Sequence, residues 1–480
     1  MPLTPRCLAV VAWFTLLAAL AAPAASRAAA AHPEPVDLKF DFSNGPAKDG
    51  FAKVAPAANY ADDTGFGYEP GAQVEYGDGG NTTTSARPFF FSVKVPEGNY
   101  NVTATFGDSA TATTTTLKAE SGRLMDEKVP AKAGETVTRT FTTNVRTPQL
   151  PPVPTNAPGR DVVSEDQFDS GNARDWDGKL TIEINSPHAA LRTLEITRTP
   201  DAPTVFIAGD STVTDRDNGT TVSWGQLLPR FFQPGVAVSN QAQSGETLKS
   251  FANALRLDKI LSQMKKGDYL FMQFAHNDEK ASWPQTYVEA NTTFKAYLKV
   301  YIAEARLRGA TPVLVTAMNR VNFNGAGQNT NSHGGYPEAM REVAQEENVP
   351  LIDLNRMSQS FYDAIGPANA RTQISADGTH SLVYGGYEFA KCIVMGIKQD
   401  KLDLAKYIVD DFTDFDPAHP DDYASFDLTA SFANGRGGAG NAAGGRRGGR
   451  GGRGGAPANT AGRTPAPAAA TATDPGPGPL

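Results

Sequence analysis

TVFIAGDSTV, residues 204–213, is the stretch on which the fold turns. Its first five residues are apolar or β-branched, and a glycine followed by the capping pair Asp210-Ser211 ends the run. So short an apolar run reads as a strand buried on both faces. With 205–208 as the first, similar runs follow at 236–239, 269–274, 312–316 and 351–354. Between them, residues 248–264, 287–308, 337–347 and 383–397 carry apolar positions at helical spacing. Strands alternating with helices predict a parallel sheet covered on both faces.

Five strands suit a flavodoxin-like three-layer α/β/α fold, whose ligands bind beyond the strand C-termini. Upstream, residues 36–198 have a different texture. FFFSVKV (89–95), YNVTATF (100–106), TVTRTFTT (136–143) and residues 179–184 are short alternating runs between Gly, Pro, Asn and Asp turns. They predict an all-β sandwich or jelly roll, with the Pro-rich TPQLPPVPTNAP (147–158) as a long loop inside it. The boundaries expected are therefore 36–198 for the β domain and 200–428 for the α/β domain.

The ends read differently. Arg6, the apolar run 7–20 and the small residues 21–31 have the pattern of a signal peptide, residues 1–31. The run is short for the ~20 residues of a membrane-spanning helix, and no second one follows. A secreted or periplasmic protein without a membrane span is expected after cleavage. Residues 431–480 are rich in Gly, Arg, Ala and Pro, including GGRRGGRGGRGG at 444–455, and are expected to be disordered. That tail lacks the aromatics that stack on single-stranded nucleic acid, so no nucleic acid partner is expected. The chain of 480 residues has a net charge of −8, too mild to imply a partner.

Two cysteines exist, Cys7 within the leader and Cys392 in an apolar helical run. Disulfides, thiolate metal sites and cysteine catalysis are thereby excluded, and Cys392 is expected as a core thiol. No His/carboxylate grouping has metal-ligand spacing, so neither metal nor cofactor is expected.

Four motifs follow predicted strands or precede the last helix: Gly209-Asp210-Ser211-Thr212, NQAQSGE at 240–246, FAHND at 274–278, and Asp377-Gly378-Thr379-His380. The first three fall at one sheet edge. In the fourth, Asp377 and His380 lie three apart and can share a turn, so the carboxylate can orient the imidazole. A serine hydroxyl becomes a good nucleophile when such an imidazole takes its proton.

In this order the motifs resemble the SGNH (GDSL-like) hydrolase superfamily over residues 204–397. Within it they are similar to the rhamnogalacturonan acetylesterase group, through GDSTV (209–213), WGQLL (224–228), QFAHND (273–278), GGYPEAMREVA (334–344) and DGTH (377–380). The family usually reads FGHND where this chain has Ala275. The resemblance implies Ser211 as nucleophile, His380 as base and then acid, and Asp377 as orienting carboxylate. It also implies an oxyanion hole of the Ser211 and Gly245 N–H groups with the Asn277 amide. No Gly-x-Ser-x-Gly pentapeptide of an α/β-hydrolase occurs, and the rival Ser244 reads as a turn residue. His276 and His333 are candidate sugar contacts.

The β region resembles the galactose-binding-like sandwiches that accompany polysaccharide-active enzymes, through KFDFSNG (39–45), GYEPG (67–71) and VPEGNYNVTATFGD (95–108). Sugar binding and structural support of the hydrolase both stay open for it. Taken together, an exported monomeric serine esterase is expected, removing O-acetyl groups from a rhamnogalacturonan-like pectic polysaccharide through an acetyl-serine intermediate. The alternatives are an SGNH esterase or lipase on another acylated glycan or a lipid, and a non-catalytic carbohydrate-binding protein.

Overall fold

The computed structural model describes residues 35–164, 173–216 and 219–433. The expected signal peptide and the Gly/Arg-rich segment beyond residue 433 lie outside the described residues. The β region holds β1 (Asp37–Asp41), β2 (Ala52–Lys53), β3 (Phe66–Tyr68), β4 (Glu75–Tyr76), β5 (Thr83–Ser85), β6 (Phe89–Lys94), β7 (Gly98–Phe106), β8 (Thr113–Ala119), β9 (Arg123–Ala131), β10 (Val137–Val145) and β11 (Lys179–Arg198). These eleven strands form one sheet that curls on itself through β11. The first part of β11 pairs with β6 and β8, and past a register shift between Asn185 and His188 the strand pairs with β1, β5 and β7. The two halves close over Phe40, Phe91, Phe106, Leu117, Ile182 and Leu194, all fully or almost fully buried. Strand β7 displays the alternation behind this: Tyr100, Val102, Ala104 and Phe106 are buried, whereas Asn101, Thr103 and Thr105 are partly exposed.

The α/β region carries β12 (Thr204–Gly209), β13 (Ala237–Asn240), β14 (Tyr269–Gln273), β15 (Thr311–Val315) and β16 (Leu351–Ile352), all parallel, in the order β13-β12-β14-β15-β16. Its helices are α1 (Trp224–Leu227), α2 (Leu248–Asn253), α3 (Arg256–Gln263), α4 (Lys295–Leu307), α5 (Tyr336–Glu347), α6 (Leu354–Ile365), α7 (Ala370–Gln373), α8 (Val383–Gln399) and α9 (Ala430–Ala433). Successive strand residues feed opposite cores. Val205, Ile207, Phe271, Val313 and Val315 pack on one side with Phe361 of α6 and Phe389 and Ile393 of α8. Phe206, Ala208, Leu270, Met272 and Leu314 pack on the other with Ile260, Leu298, Tyr301 and Met340 of α3, α4 and α5. Burying both faces explains why the strands read as unbroken apolar runs, each large side chain contributing about 1.5–3 kcal/mol. The flavodoxin-like three-layer arrangement expected of the chain is what forms.

Two details differ from the sequence reading. The helix expected over 248–264 is two helices, because Leu255 adopts φ +63° between α2 and α3. The packed chain also runs past 428 into α9, where Phe432 is buried under the Lys118 ammonium, 4.1 Å from its ring centroid. Lys118 Nζ in turn donates to the Ser431 carbonyl at 2.6 Å. Cys392 lies wholly buried in α8, and burial pushes its thiol up.

Both regions, as described, belong to one compact unit. Asn99 of β7 donates to Thr204 Oγ1 at 2.8 Å and to the Ala202 carbonyl at 3.1 Å, while Lys259 of α3 pairs with Glu97 at 2.7 Å. Among the described residues no helix is long and apolar enough to cross a membrane.

Candidate active site

Register sets the site. Gly209 pairs with Gln273 and Ile207 with Asn240, so the loops after β12, β13 and β14 leave the sheet at one edge. After β12 the chain turns at once. Asp210 Oδ1 accepts from the Thr212 N–H at 2.9 Å and its hydroxyl at 2.7 Å, and the Asp210 carbonyl accepts from the N–H groups of Val213 and Thr214. Ser211 stands at the head of that turn, and its own carbonyl accepts from Arg216 Nη2 at 2.6 Å. Gln273 braces the turn from β14: its amide donates to Thr212 Oγ1 at 2.7 Å while its carbonyl accepts from the indole of Trp224 at 2.8 Å.

The turn before α8 brings the fourth motif over Ser211. His380 Nε2 is 2.9 Å from Ser211 Oγ, and His380 Nδ1 is 2.6 Å from Asp377 Oδ2. With Nδ1–H donating to the carboxylate, Nε2 accepts from the serine hydroxyl. Partial burial pulls the Asp377 carboxyl upward, but hydrogen bonds from the His380 ring and from the His380 and Thr379 N–H groups outweigh it. The group is held well below the usual carboxylate range. It therefore stays ionised, able to fix the imidazole and to balance an imidazolium.

The chain also turns sharply after β13, where Gly245 sits at φ +87°. Asn277 is held at both ends of its amide. Its Oδ1 accepts from Lys280 Nζ at 2.7 Å, and one Nδ2–H donates to the Glu246 carbonyl at 3.0 Å, next to Gly245. Ala275 takes φ +149°, a region natural to glycine and costly by about 1–3 kcal/mol for other residues. The family's glycine at this position thus has a conformational reason, and this chain bears strain in its place.

His276 and His333, expected as sugar contacts, are instead buried wall residues, 3 % and 1 % exposed. Their rings meet edge to face at 4.4 Å between centroids. Burial, aided by neighbouring His333, lowers the His276 imidazole to about 4, so it is neutral at pH 7, 3.5 Å from Asp210. His333 uses Nδ1 toward Glu279 at 3.1 Å and Nε2 toward the Met318 carbonyl at 2.9 Å. Both nitrogens of the His333 ring are thus engaged within the protein.

Two features escaped the sequence reading. Lys280, besides holding Asn277, lies 3.9 Å from the ring centroid of Trp283, whose side chain is 42 % exposed. The second is a clamp from the β region onto the serine loop. Buried Arg123 of β9 pairs with Asp215 at 2.6 Å, and Asp215 accepts from the Asn240 amide at 2.7 Å. Asn240 also donates to the Val213 carbonyl, and Gln226 ties the Arg216 carbonyl to those of Ser121 and Gly122. No local pattern announces a contact between residues ninety positions apart. Among the described residues, no grouping of three or more His, Cys, Asp or Glu could hold a metal ion.

A nucleophile-base-carboxylate line at the C-terminal edge of a parallel sheet, with amide donors alongside, suits acyl transfer. Residues 207–381 match the GDSL-like Lipase/Acylhydrolase family. The chain is 35% identical to the rhamnogalacturonan acetylesterase RhgT of Bacillus subtilis (strain 168) over 221 residues, covering 43% of this chain and 94% of that protein. It is 38% identical to the probable rhamnogalacturonan acetylesterase YesY of the same organism, covering 43% and 97%. The uncharacterized esterase YxiM, also from B. subtilis, aligns more widely, at 26% identity over 76% of this chain and 92% of its own length. The chain belongs to the GDSL-like lipase/acylhydrolase family, as a serine esterase of the SGNH type.

Proposed function

We propose that this esterase is exported and acts as a monomer, releasing acetate from an O-acetylated pectic polysaccharide of the rhamnogalacturonan type. The observation that carries the chemistry is the unbroken line Asp377–His380–Ser211, with contacts of 2.6 and 2.9 Å. In the proposed reaction His380 Nε2 takes the Ser211 proton as Oγ attacks the acetyl carbonyl. The tetrahedral oxyanion is held by the N–H groups of Ser211 and Gly245 and by the free N–H of the Asn277 amide. Collapse expels the sugar oxygen, which takes the proton from His380 and leaves an acetyl-serine. Water, deprotonated by the same imidazole, then releases acetate and restores Ser211.

Two observations support the substrate class. Two relatives matched over almost their whole length, RhgT and YesY, are named for rhamnogalacturonan. The recess next to Asp377 is also lined by polar side chains rather than by the apolar ones a fatty acyl chain needs. The test is a substrate series. Hydrolysis of aryl esters should collapse between acetate and butyrate, because a pocket for one methyl group excludes longer chains. Acetate release from acetylated rhamnogalacturonan should exceed that from acetylated xylan. Efficient cleavage of octanoyl esters with no acetate from pectin would move the chain to lipid substrates.

The oxyanion role has its own test. Asn277→Ala should lower kcat by ~10²-fold or more with little change in KM, since the interaction strengthens in the transition state. A raised KM with kcat intact would make Asn277 a substrate-binding group instead.

A further inference from the structure

We propose that the recess beside the Asp377–His380 turn is a subsite for the carboxylate of a uronosyl residue, with Arg371 as its anchor. This deepens the polysaccharide reading above and rests on it. The recess is open, with a volume of about 540 Å³, within the ~300–1,000 Å³ usual for small-ligand sites. Asn322, Asn331, Ser332 and Thr379 line it with the mixed donors and acceptors that sugar hydroxyls require, and Val321 is the one apolar side chain of the lining.

Its charges single out one group. Two guanidinium groups, Arg320 and Arg371, share the lining with one carboxylate, Asp377. The Asp377 oxygens are engaged by the Thr379 and His380 N–H groups and by the His380 ring. Arg320 is neutralised by Glu279 at 2.6 Å and donates to the His276 and Ser332 carbonyls. Arg371 is different. It is exposed, donates to the Ala376 carbonyl at 3.3 Å, and forms no ion pair among the described residues. A planar, permanently charged fork with donors to spare matches the two oxygens of a carboxylate.

Position links this fork to the reaction. The Arg371 guanidinium lies against Gly378: a methyl group on that glycine would stand 3.1 Å from Nη1. Gly378 precedes His380 by two residues, at most about 7 Å of backbone. A sugar neighbouring the acetylated one would therefore reach Arg371 while its ester lies at Ser211. A polymer with galacturonate in its backbone would present such a carboxylate, whereas a neutral xylan would not.

The experiment compares kcat/KM for acetate release from O-acetylated rhamnogalacturonan oligosaccharides with that from the same oligosaccharides methyl-esterified at their galacturonosyl carboxyls. The wild type should prefer the acidic form by about tenfold or more, the scale of one hydrogen bond to a charged group. Arg371→Gln should bring that ratio close to one, mainly through KM on the acidic form, and Arg371→Lys should keep an intermediate preference. A wild type without preference, or a preference that Arg371→Gln leaves intact, overturns the subsite while the polysaccharide reading stands. A wild type that hydrolyses aryl acetate but releases no acetate from either oligosaccharide overturns that reading, and the subsite with it.

Discussion

Ser211→Ala is expected to fold as the wild type does and to lose about 10⁴-fold or more in kcat on aryl acetate. The fold should survive because Ser211 is partly exposed and the turn around it is held by other groups: the Asp210 carboxylate and carbonyl, Gln273 and Arg216. What disappears is the nucleophile itself, and what remains is binding and the oxyanion donors, which in serine hydrolases leave a small residual rate. The residues of such a line act as a unit. His380→Ala should therefore cost about as much as Ser211→Ala, and the double variant should be scarcely worse than either. A serine-directed phosphonate should label Ser211 in the wild type and nothing in the variant. Labelling at Ser244, or losses that multiply in the double variant, would sink the assignment.

The line Asp377–His380–Ser211 was legible in the sequence because each member sits in a short local motif tied to a strand end or a helix start. Period and length were enough to find the five parallel strands, since a strand buried on both faces leaves an unbroken apolar run. Contacts made across long separations were not legible in this way. For His276 the sequence left a sugar contact and a loop-holding role open, and for His333 a sugar contact or a solvated loop residue; the fold brings the two together in a buried edge-to-face pair. The break at Leu255 was hidden because its positive φ falls on an ordinary apolar residue rather than on glycine. The choice between sugar binding and structural support for the β region was equally closed to the sequence. Three separate contacts with the serine loop and its neighbours now give that region a supporting role: Arg123 to Asp215, Ser121 and Gly122 to Gln226, and Asn99 to Thr204.

Arg123→Met is expected to destabilise the fold by about 3–5 kcal/mol, the scale of removing one partner from a buried ion pair. Arg123 is fully buried, with Asp215 at 2.6 Å on one side, Asp175 at 3.1 Å on another, and the Asn144 carbonyl accepting from Nη1 at 2.9 Å. Burial works against its charge, but the two aspartates hold the guanidinium well above its ordinary range. Nearby Arg146 adds a second buried cation, 3.4 Å from Asp175, and burial pushes the Glu120 carboxyl well above its usual value, toward the neutral acid. Two buried arginines thus face Asp175 and Asp215, and methionine at 123 would take from Asp215 the guanidinium that pairs with it. The loss should reach the reaction before it reaches global unfolding. Asp215 positions Asn240, which holds the Val213 carbonyl two residues from Ser211. At temperatures where Arg123→Met remains folded, kcat on aryl acetate should therefore fall with little change in KM. The decisive comparison is the double variant Arg123→Met/Asp215→Asn, which removes the stranded charge while keeping a side-chain oxygen for Asn240. Chemical denaturation should find it more stable than Arg123→Met alone, because removing both members of a buried pair costs less than removing one. If the two destabilisations simply add, the pair is not the link between the β region and the serine loop, and the support must come through Gln226 and Asn99.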